Sequence, residues 1–336
     1  MNFTFLLGNG FDVGLGLQTR YKDFYPYFIK NANKNNIFRL ALEEDSQYEK
    51  WSDLEIALGE FTGTVSISDE GRFVKDKIEI DELLKAYLLG EQNKFIFDKN
   101  RLQTTLKEAL MQARIGNNER ENELIKTTLN HYAGEYYTYQ CITYNYTDCA
   151  DKMWKLFYNT EVGKHHYGGA TYGERFGQVL HIHGSLTDGE MIIGVNDETQ
   201  ISNAELAKRR NVKWAMIKPY LNNAIGQNKI QKAKTIIDGS RIICLYGLSI
   251  GITDNMWWEY IGEWLKRQST HILIIYNYDP DYMPGHPLTK LTHAENIRNT
   301  FLKKTKLKDP ERQAVESRII VYDNMNIFAV ERLLRL

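Results

Sequence analysis

The chain has 336 residues, enough for one large core or two lobes, with 43% hydrophobic and 25% charged residues, the balance of an ordinary globular protein. Its formal net charge of −1 gives no field that favours DNA, RNA or an anionic membrane, so no nucleic-acid partner is expected. No window reaches about 18 consecutive apolar residues, and no basic region followed by a long apolar stretch opens the chain, so neither a membrane span nor a signal peptide is expected.

The first element is an apolar strand, Phe3-Thr4-Phe5-Leu6-Leu7, which runs into Gly8-Asn9-Gly10-Phe11-Asp12 and then Gly14-Leu15-Gly16-Leu17. A buried strand that breaks into glycines and restarts as a helix is how open α/β sheets cradle a phosphate. Glycines let the backbone come close, and the helix N-terminus offers free N–H groups. Val13 stands where the third glycine of G-x-G-x-x-G belongs, so the loop is not a dehydrogenase fingerprint.

The interval 28–135 reads as a helical insertion lobe, on the 3.6-type spacing of residues 54–61 and of Leu102 through Ala113. Within it, Ser52-Asp53-Leu54-Glu55 has the S-x-x-E form of a capping box, although Glu55 can also face a crevice. Segment 114–126 is highly charged and suits a solvated helix face or a mobile connection. Five more strands follow, at residues 141–144, 179–182, 242–246, 272–276 and 319–322. They are short, rich in β-branched residues and apolar on consecutive positions, the pattern of parallel strands buried on both faces. Helical stretches near 148–158, 254–267, 288–306 and 325–335 alternate with them, and a smaller helical insertion covers 202–236. The alternation predicts one α/β domain over 1–336 with a doubly wound, mostly parallel sheet. Cys141, Cys149 and Cys244 form no C-x-x-C pair, which argues against a zinc ribbon and a disulfide framework and fits a reducing cytoplasm.

Several strands end in polar, turn-forming clusters, and in an open α/β sheet the carboxyl ends of the strands converge on one crevice. The clusters are Gly8 to Asp12, Thr143 to Asp148, His181 to Ser185, Gly247 to Gly251 followed by Asp254, and Asn277 to Asp279. Asn145 carries both a donor and an acceptor and can orient a sugar hydroxyl or a water; it can equally cap the next helix. His183 can take a proton from a hydroxyl at cytoplasmic pH. His181 and His183 share one side if the strand stays extended, but no acidic or thiol partner stands at a ligand spacing, so no metal is expected and His181 is read as a core histidine. His165 and His166 are read as surface residues of a Tyr/Gly-rich loop. Gly247-Leu248-Ser249-Ile250-Gly251 matches G-x-S-x-G, which makes a Ser hydrolase using Ser249 the obvious rival.

On these residues the chain resembles the AbiH family of bacterial abortive-infection proteins. The resemblance is carried by Gly8-Asn9-Gly10-Phe11-Asp12 through Gly16-Leu17, Thr19, Tyr21-Lys22-Asp23-Phe24 and Trp51-Ser52-Asp53-Leu54-Glu55. It continues in Tyr144-Asn145-Tyr146-Thr147, His181-Ile182-His183-Gly184, and Gly247-Leu248-Ser249 with Asp254. That family in turn resembles sirtuin-like NAD-binding proteins: Gly8-x-Gly10 with Gly16 is similar to their nucleotide loop, Thr143-x-Asn145 to their Thr-x-Asn segment, and His183-Gly184 to the motif of their catalytic base. Gly247-x-Ser249 and Asn277 are similar to their later phosphate and ribose segments. Asp12 stands where sirtuins usually have Ser, Gln18 replaces a proline, and Thr147 replaces an Asp. The absence of zinc-binding cysteines argues against protein deacylation.

The resemblance implies a Rossmann-like, sirtuin-like sheet and an anti-phage effector that cleaves NAD, its substrate, to nicotinamide and ADP-ribose. Asn145 and His183 would be catalytic. Gly8, Asn9, Gly10, Phe11, Asp12, Thr143, Gly247, Ser249 and Asn277 would hold the nucleotide. A phage-derived activator and a homo-oligomer are both compatible with it. Two further readings stay open: a sensor that binds NAD or an ADP-ribose-type nucleotide without cutting it, and an interaction protein whose 28–135 lobe recognises a phage component.

Overall fold

A computed structural model describes residues 1–45, 48–157, 160–188, 190–283 and 285–328. Among the described residues seven strands form one sheet: β1 (Asn2–Leu7), β2 (Tyr137–Thr143), β3 (Glu161–Tyr167), β4 (Ala170–His181), β5 (Ser240–Tyr246), β6 (Ile272–Asn277) and β7 (Ile319–Asp323). Their order is β3-β4-β2-β1-β5-β6-β7. Every pairing is parallel except that of β3 with β4. The chain winds outward from β1 through β2 to β4, then crosses back and winds the other way through β5 to β7. Its winding therefore reverses between β1 and β5.

Six of the seven strands are those that the apolar runs predict; β3 is the exception. It is a largely exposed edge strand with the sequence EVGKHHY, so it carries no apolar run. The signal that marks it is Gly168-Gly169, both at positive φ, which close a two-residue hairpin between Tyr167 and Ala170. His165 and His166 therefore lie on a strand rather than in a loop, and the His165 ring stacks on Tyr137 with centroids 3.8 Å apart.

Helices cover both faces of the sheet. In chain order they are α1 (Asn9–Gly14), α2 (Tyr21–Asn31), α3 (Ile37–Glu44), α4 (Leu54–Phe61), α5 (Glu70–Gln92), α6 (Lys99–Gln112), α7 (Glu119–His131) and α8 (Cys149–Lys155). They continue with α9 (Ala204–Ala207), α10 (Arg210–Met216), α11 (Lys218–Ala224), α12 (Lys229–Asp238), α13 (Asn255–Arg267), α14 (Pro287–Lys304) and α15 (Asp309–Glu316). Alternation along β1 sends Phe3, Phe5 and Leu7 into one core with Phe11, Leu106, Ile125 and Trp154 of α1, α6, α7 and α8. Leu6 points the other way, into a core with Ile237, Trp258, Phe301 and Val315 of α12 to α15.

A third core lies off the sheet. It joins Phe24, Phe28, Phe38, Leu58, Phe73 and Leu84 of α2 to α5 with Ile193, Leu206, Val212 and Met216. The interval 28–135 thus feeds two cores: α3 to α5 belong to this lobe, whereas α6 and α7 pack on the sheet. The second insertion divides in the same way, with α9 and α10 in the lobe and α12 on the sheet. Of the helix predicted at 325–335, residues 325–328 are not helical, and 329–335 lie outside the described residues. Phe328 instead packs its ring against Phe5 and Phe11. Among the described residues no helix is long and apolar enough to cross a membrane.

Candidate active site

The carboxyl ends of the central strands finish level. Leu7 pairs with both Thr143 and Tyr246, and Thr143 pairs with His181. The loops that follow these four residues therefore meet above one edge of the sheet, beside the reversal of winding, where open α/β sheets hold their ligands.

The loops after β1 and β5 interlock through glycine. The Gly8 N–H donates to Tyr246 O and the Gly10 N–H to Gly247 O, each at 2.9 Å. A Cβ on Gly10 would lie 2.5 Å from Gly247 Cα, and Gly247 itself sits at φ +67. Backbone-to-backbone approach accounts for these glycines. The Gly8 and Gly10 N–H groups are thus both engaged within the protein. The Asn9 side chain also works within the protein: it accepts from Thr19 Oγ1 at 2.6 Å and donates to Thr19 O at 3.1 Å.

On the opposite wall, His183 is buried and pairs with Asp254, Nε2 to Oδ1, at 2.9 Å. A carboxylate can only accept, so Nε2 carries a proton, and the lone pair of a neutral ring falls on Nδ1. That Nδ1 is buried and has no hydrogen-bond partner among the described residues. Behind the pair, the buried Lys218 ammonium lies 3.0 Å from Asp254 Oδ1 and 2.9 Å from Glu55 Oε2. Glu55 Oε1 accepts from the Gly194 N–H at 3.2 Å. Burial resists the charge on Asp254, but Lys218 and His183 outweigh it and hold the carboxyl well below its usual range. Burial likewise opposes the Lys218 charge, and Asp254 and Glu55 outweigh it, raising its pKa above the ordinary value. Two acidic side chains thus share one lysine, and one of them also pairs with His183.

Glu55 reaches this network because the predicted capping box does not form. Asp53, not Ser52, caps α4, accepting from the N–H groups of Glu55 and Ile56 at 3.0 and 3.2 Å. Shifting the cap by one residue turns Glu55 inward.

Asn145 sits between the walls. Its N–H donates to Thr143 Oγ1 at 3.1 Å, and its Nδ2 donates to Gly8 O at 3.0 Å. The Asn145 carbonyl faces His181 Nδ1 at 2.8 Å, and Asp151 faces His181 Nε2 at 2.6 Å. Both partners accept, so the His181 ring is held doubly protonated. Burial opposes that charge, but Asp151 and Asn145 prevail and raise its pKa. His181 therefore has no lone pair for a metal. Asp12 lies below Asn145, 1% exposed, and accepts from Thr147 Oγ1 at 2.6 Å. Its other oxygen has no partner among the described residues. Burial pushes its pKa from the ordinary 3.8 up to about 6, against the pull of Thr147, Asn145 and the His181 charge.

These walls enclose a cavity of about 700 Å³, also lined by residues 19–22 at the start of α2 and by Leu84 and Leu88 of α5. Such a volume is within the ~300–1,000 Å³ of small-molecule sites. Of the residues singled out in the sequence, Asn145 and His183 line it, as do Gly8, Asn9, Gly10, Asp12, Gly247 and Ser249. Three do not. Phe11 is buried in the sheet core, Thr143 lies fully buried beneath Asn145, and Asn277 pairs with Asp323 at 3.0 Å and with His293 at 3.3 Å. Ser249 is exposed, and among the described residues no hydrogen bond joins it to a histidine. The positive φ in its loop falls on Gly247 and Ile250 rather than on the serine. A nucleophile elbow requires both a base and a strained serine. Lys218 carries no local mark as a lysine before Pro219; only its two acidic partners, distant in sequence, define it.

None of the curated proteins matches the chain. A family model described as "Bacteriophage abortive infection AbiH" matches residues 4–276, a span that contains every residue of the cavity wall. The chain therefore belongs to the AbiH family, whose description points to a role in abortive infection by bacteriophage.

Proposed function

We propose that this protein is an abortive-infection effector that hydrolyses the N-glycosidic bond of NAD. The observation that carries the reading is one cavity at the strand ends, lined by Asn145 and by a buried His183 paired with Asp254. The strand order adds support. With the antiparallel edge strand set aside, it is the third-second-first-fourth-fifth-sixth order of doubly wound dinucleotide-binding sheets. Arg20 and Lys22 on the cavity wall supply cations that a pyrophosphate needs.

The chemistry of the bond fits the charges. The nicotinamide ring arrives cationic and departs neutral, and the sugar carbon passes through an oxocarbenium-like transition state. Glu55 and Asp254 are acids on the cavity wall, a placement that favours such a cation. Asp254 fixes the His183 ring and its tautomer, leaving Nδ1 to take a proton from a ribose hydroxyl or a water. Asn145, tied at both ends, would orient the ribose. Interfering with a positioned base typically costs about 10²–10⁴ in rate.

Cells that produce the wild-type protein should lose their NAD and stop growing, whereas cells producing His183→Ala or Asn145→Ala should keep both. Growth arrest with an undiminished NAD pool would refute the reading.

A further inference from the structure

Asp12 is a buried carboxyl in a cavity wall with one oxygen left without a donor. A buried acceptor in that condition costs free energy and calls for a reason. Elsewhere on the wall both oxygens of the buried Glu55 are taken, and Oδ1 of the partly exposed Asp254 is shared by His183 and Lys218. Asp12 is held through Thr147 Oγ1 on Oδ2, with the Asn145 amide beside the carboxylate, and its Oδ1 accepts no hydrogen bond among the described residues. That arrangement suits a group that must receive a hydrogen from something entering the cavity.

We propose that Asp12 is a catalytic residue, the proton acceptor for the water that attacks the sugar carbon, while His183 attends to a ribose hydroxyl. The inference rests on the NAD-hydrolysis reading. In the step, the water oxygen bonds to the anomeric carbon and one of its protons passes to Asp12 Oδ1. The carbon–nitrogen bond breaks and its electron pair goes to the nicotinamide ring nitrogen, which becomes neutral. Asp12 then releases the proton to solvent, so NAD and water give nicotinamide, ADP-ribose and one proton.

The groups that face Asp12 set its protonation. Thr147, Asn145 and the His181 cation favour the carboxylate, and the neighbouring Asp148 opposes it. Cys149 also lies close, with its thiol pushed far up by burial and by Asp12. The outcome, about 6, keeps Asp12 in its accepting form at neutral pH.

The test compares NAD cleavage by wild type, Asp12→Asn, Thr147→Val and His183→Ala, each with and without azide. Azide attacks carbon without losing a proton, so it bypasses a missing base. Asp12→Asn should lower kcat by about 10²–10⁴ with KM little changed, and azide should restore nicotinamide release with an azido-ADP-ribose product. Azide should not rescue His183→Ala. The rate of the wild type should fall as pH drops through about 6, and in Thr147→Val that fall should move to higher pH, because a donor to the carboxylate is gone. An Asp12→Asn protein with wild-type kcat overturns the inference, as does a loss that azide leaves unrescued. Wild-type protein that leaves NAD intact overturns the NAD reading and this inference together.

Discussion

Asp12→Asn should make the folded protein more stable at neutral pH. An ordinary carboxyl titrates at 3.8, and burial lifts Asp12 to about 6. At neutral pH the folded state must then hold a carboxylate that ionises more readily in the unfolded chain. Each tenfold difference in acidity is about 1.4 kcal/mol, so the raised pKa withholds about 3 kcal/mol of stability at pH 7.5. The sign follows from proton counts. Between pH 3.8 and about 6 the folded state binds more protons than the unfolded one, so stability falls as pH rises through that window and stays low above it. Asparagine cannot ionise and can still accept from Thr147. Urea unfolding of wild type and variant across pH would show a gap of about 3 kcal/mol at pH 7.5, narrowing to about half that at pH 5. A variant no more stable than wild type at pH 7.5, or a gap that does not narrow with acid, would refute the reasoning. A gain in stability joined to a loss of turnover is the expected mark of a strained functional residue.

Two further substitutions probe the frame around the site. Lys218→Met leaves the buried Glu55 and the partly exposed Asp254 without their cation, and should cost about 3–5 kcal/mol in urea unfolding at pH 7; pairing it with Glu55→Gln should recover part of that loss. Gly10→Ala drives a methyl to 2.5 Å from Gly247 Cα and should cost more than about 1 kcal/mol, because the two loops must separate. An unchanged melting temperature in Gly10→Ala would show that the loops are not held together as described.

Much of the frame was legible because its signals are local. Apolar β-branched runs mark the buried strands, and polar residues right after them mark the loops, so Asn145, His183 and Gly247 could be named from their strand ends. What escaped depends on contacts distant in sequence. β3 is an exposed edge whose residues owe nothing to a core, and only its Gly-Gly turn betrays it. Lys218 is defined by Glu55, 163 residues away, and Glu55 was obscured by a capping pattern that Asp53 pre-empts. Asn277 also follows an apolar strand, but its neighbour β7 ends beside it with Asp323, which takes up its amide. The glycines answer a constraint that the sequence does not contain: each loop is the other's close neighbour.

The most direct measurement is the product balance when purified protein meets NAD. Wild type should release nicotinamide and ADP-ribose in equal amounts as NAD disappears, and His183→Ala, folded to the same melting temperature, should release neither. Nicotinamide release by His183→Ala at the wild-type rate, or NAD bound by wild type and recovered intact, would contradict the account.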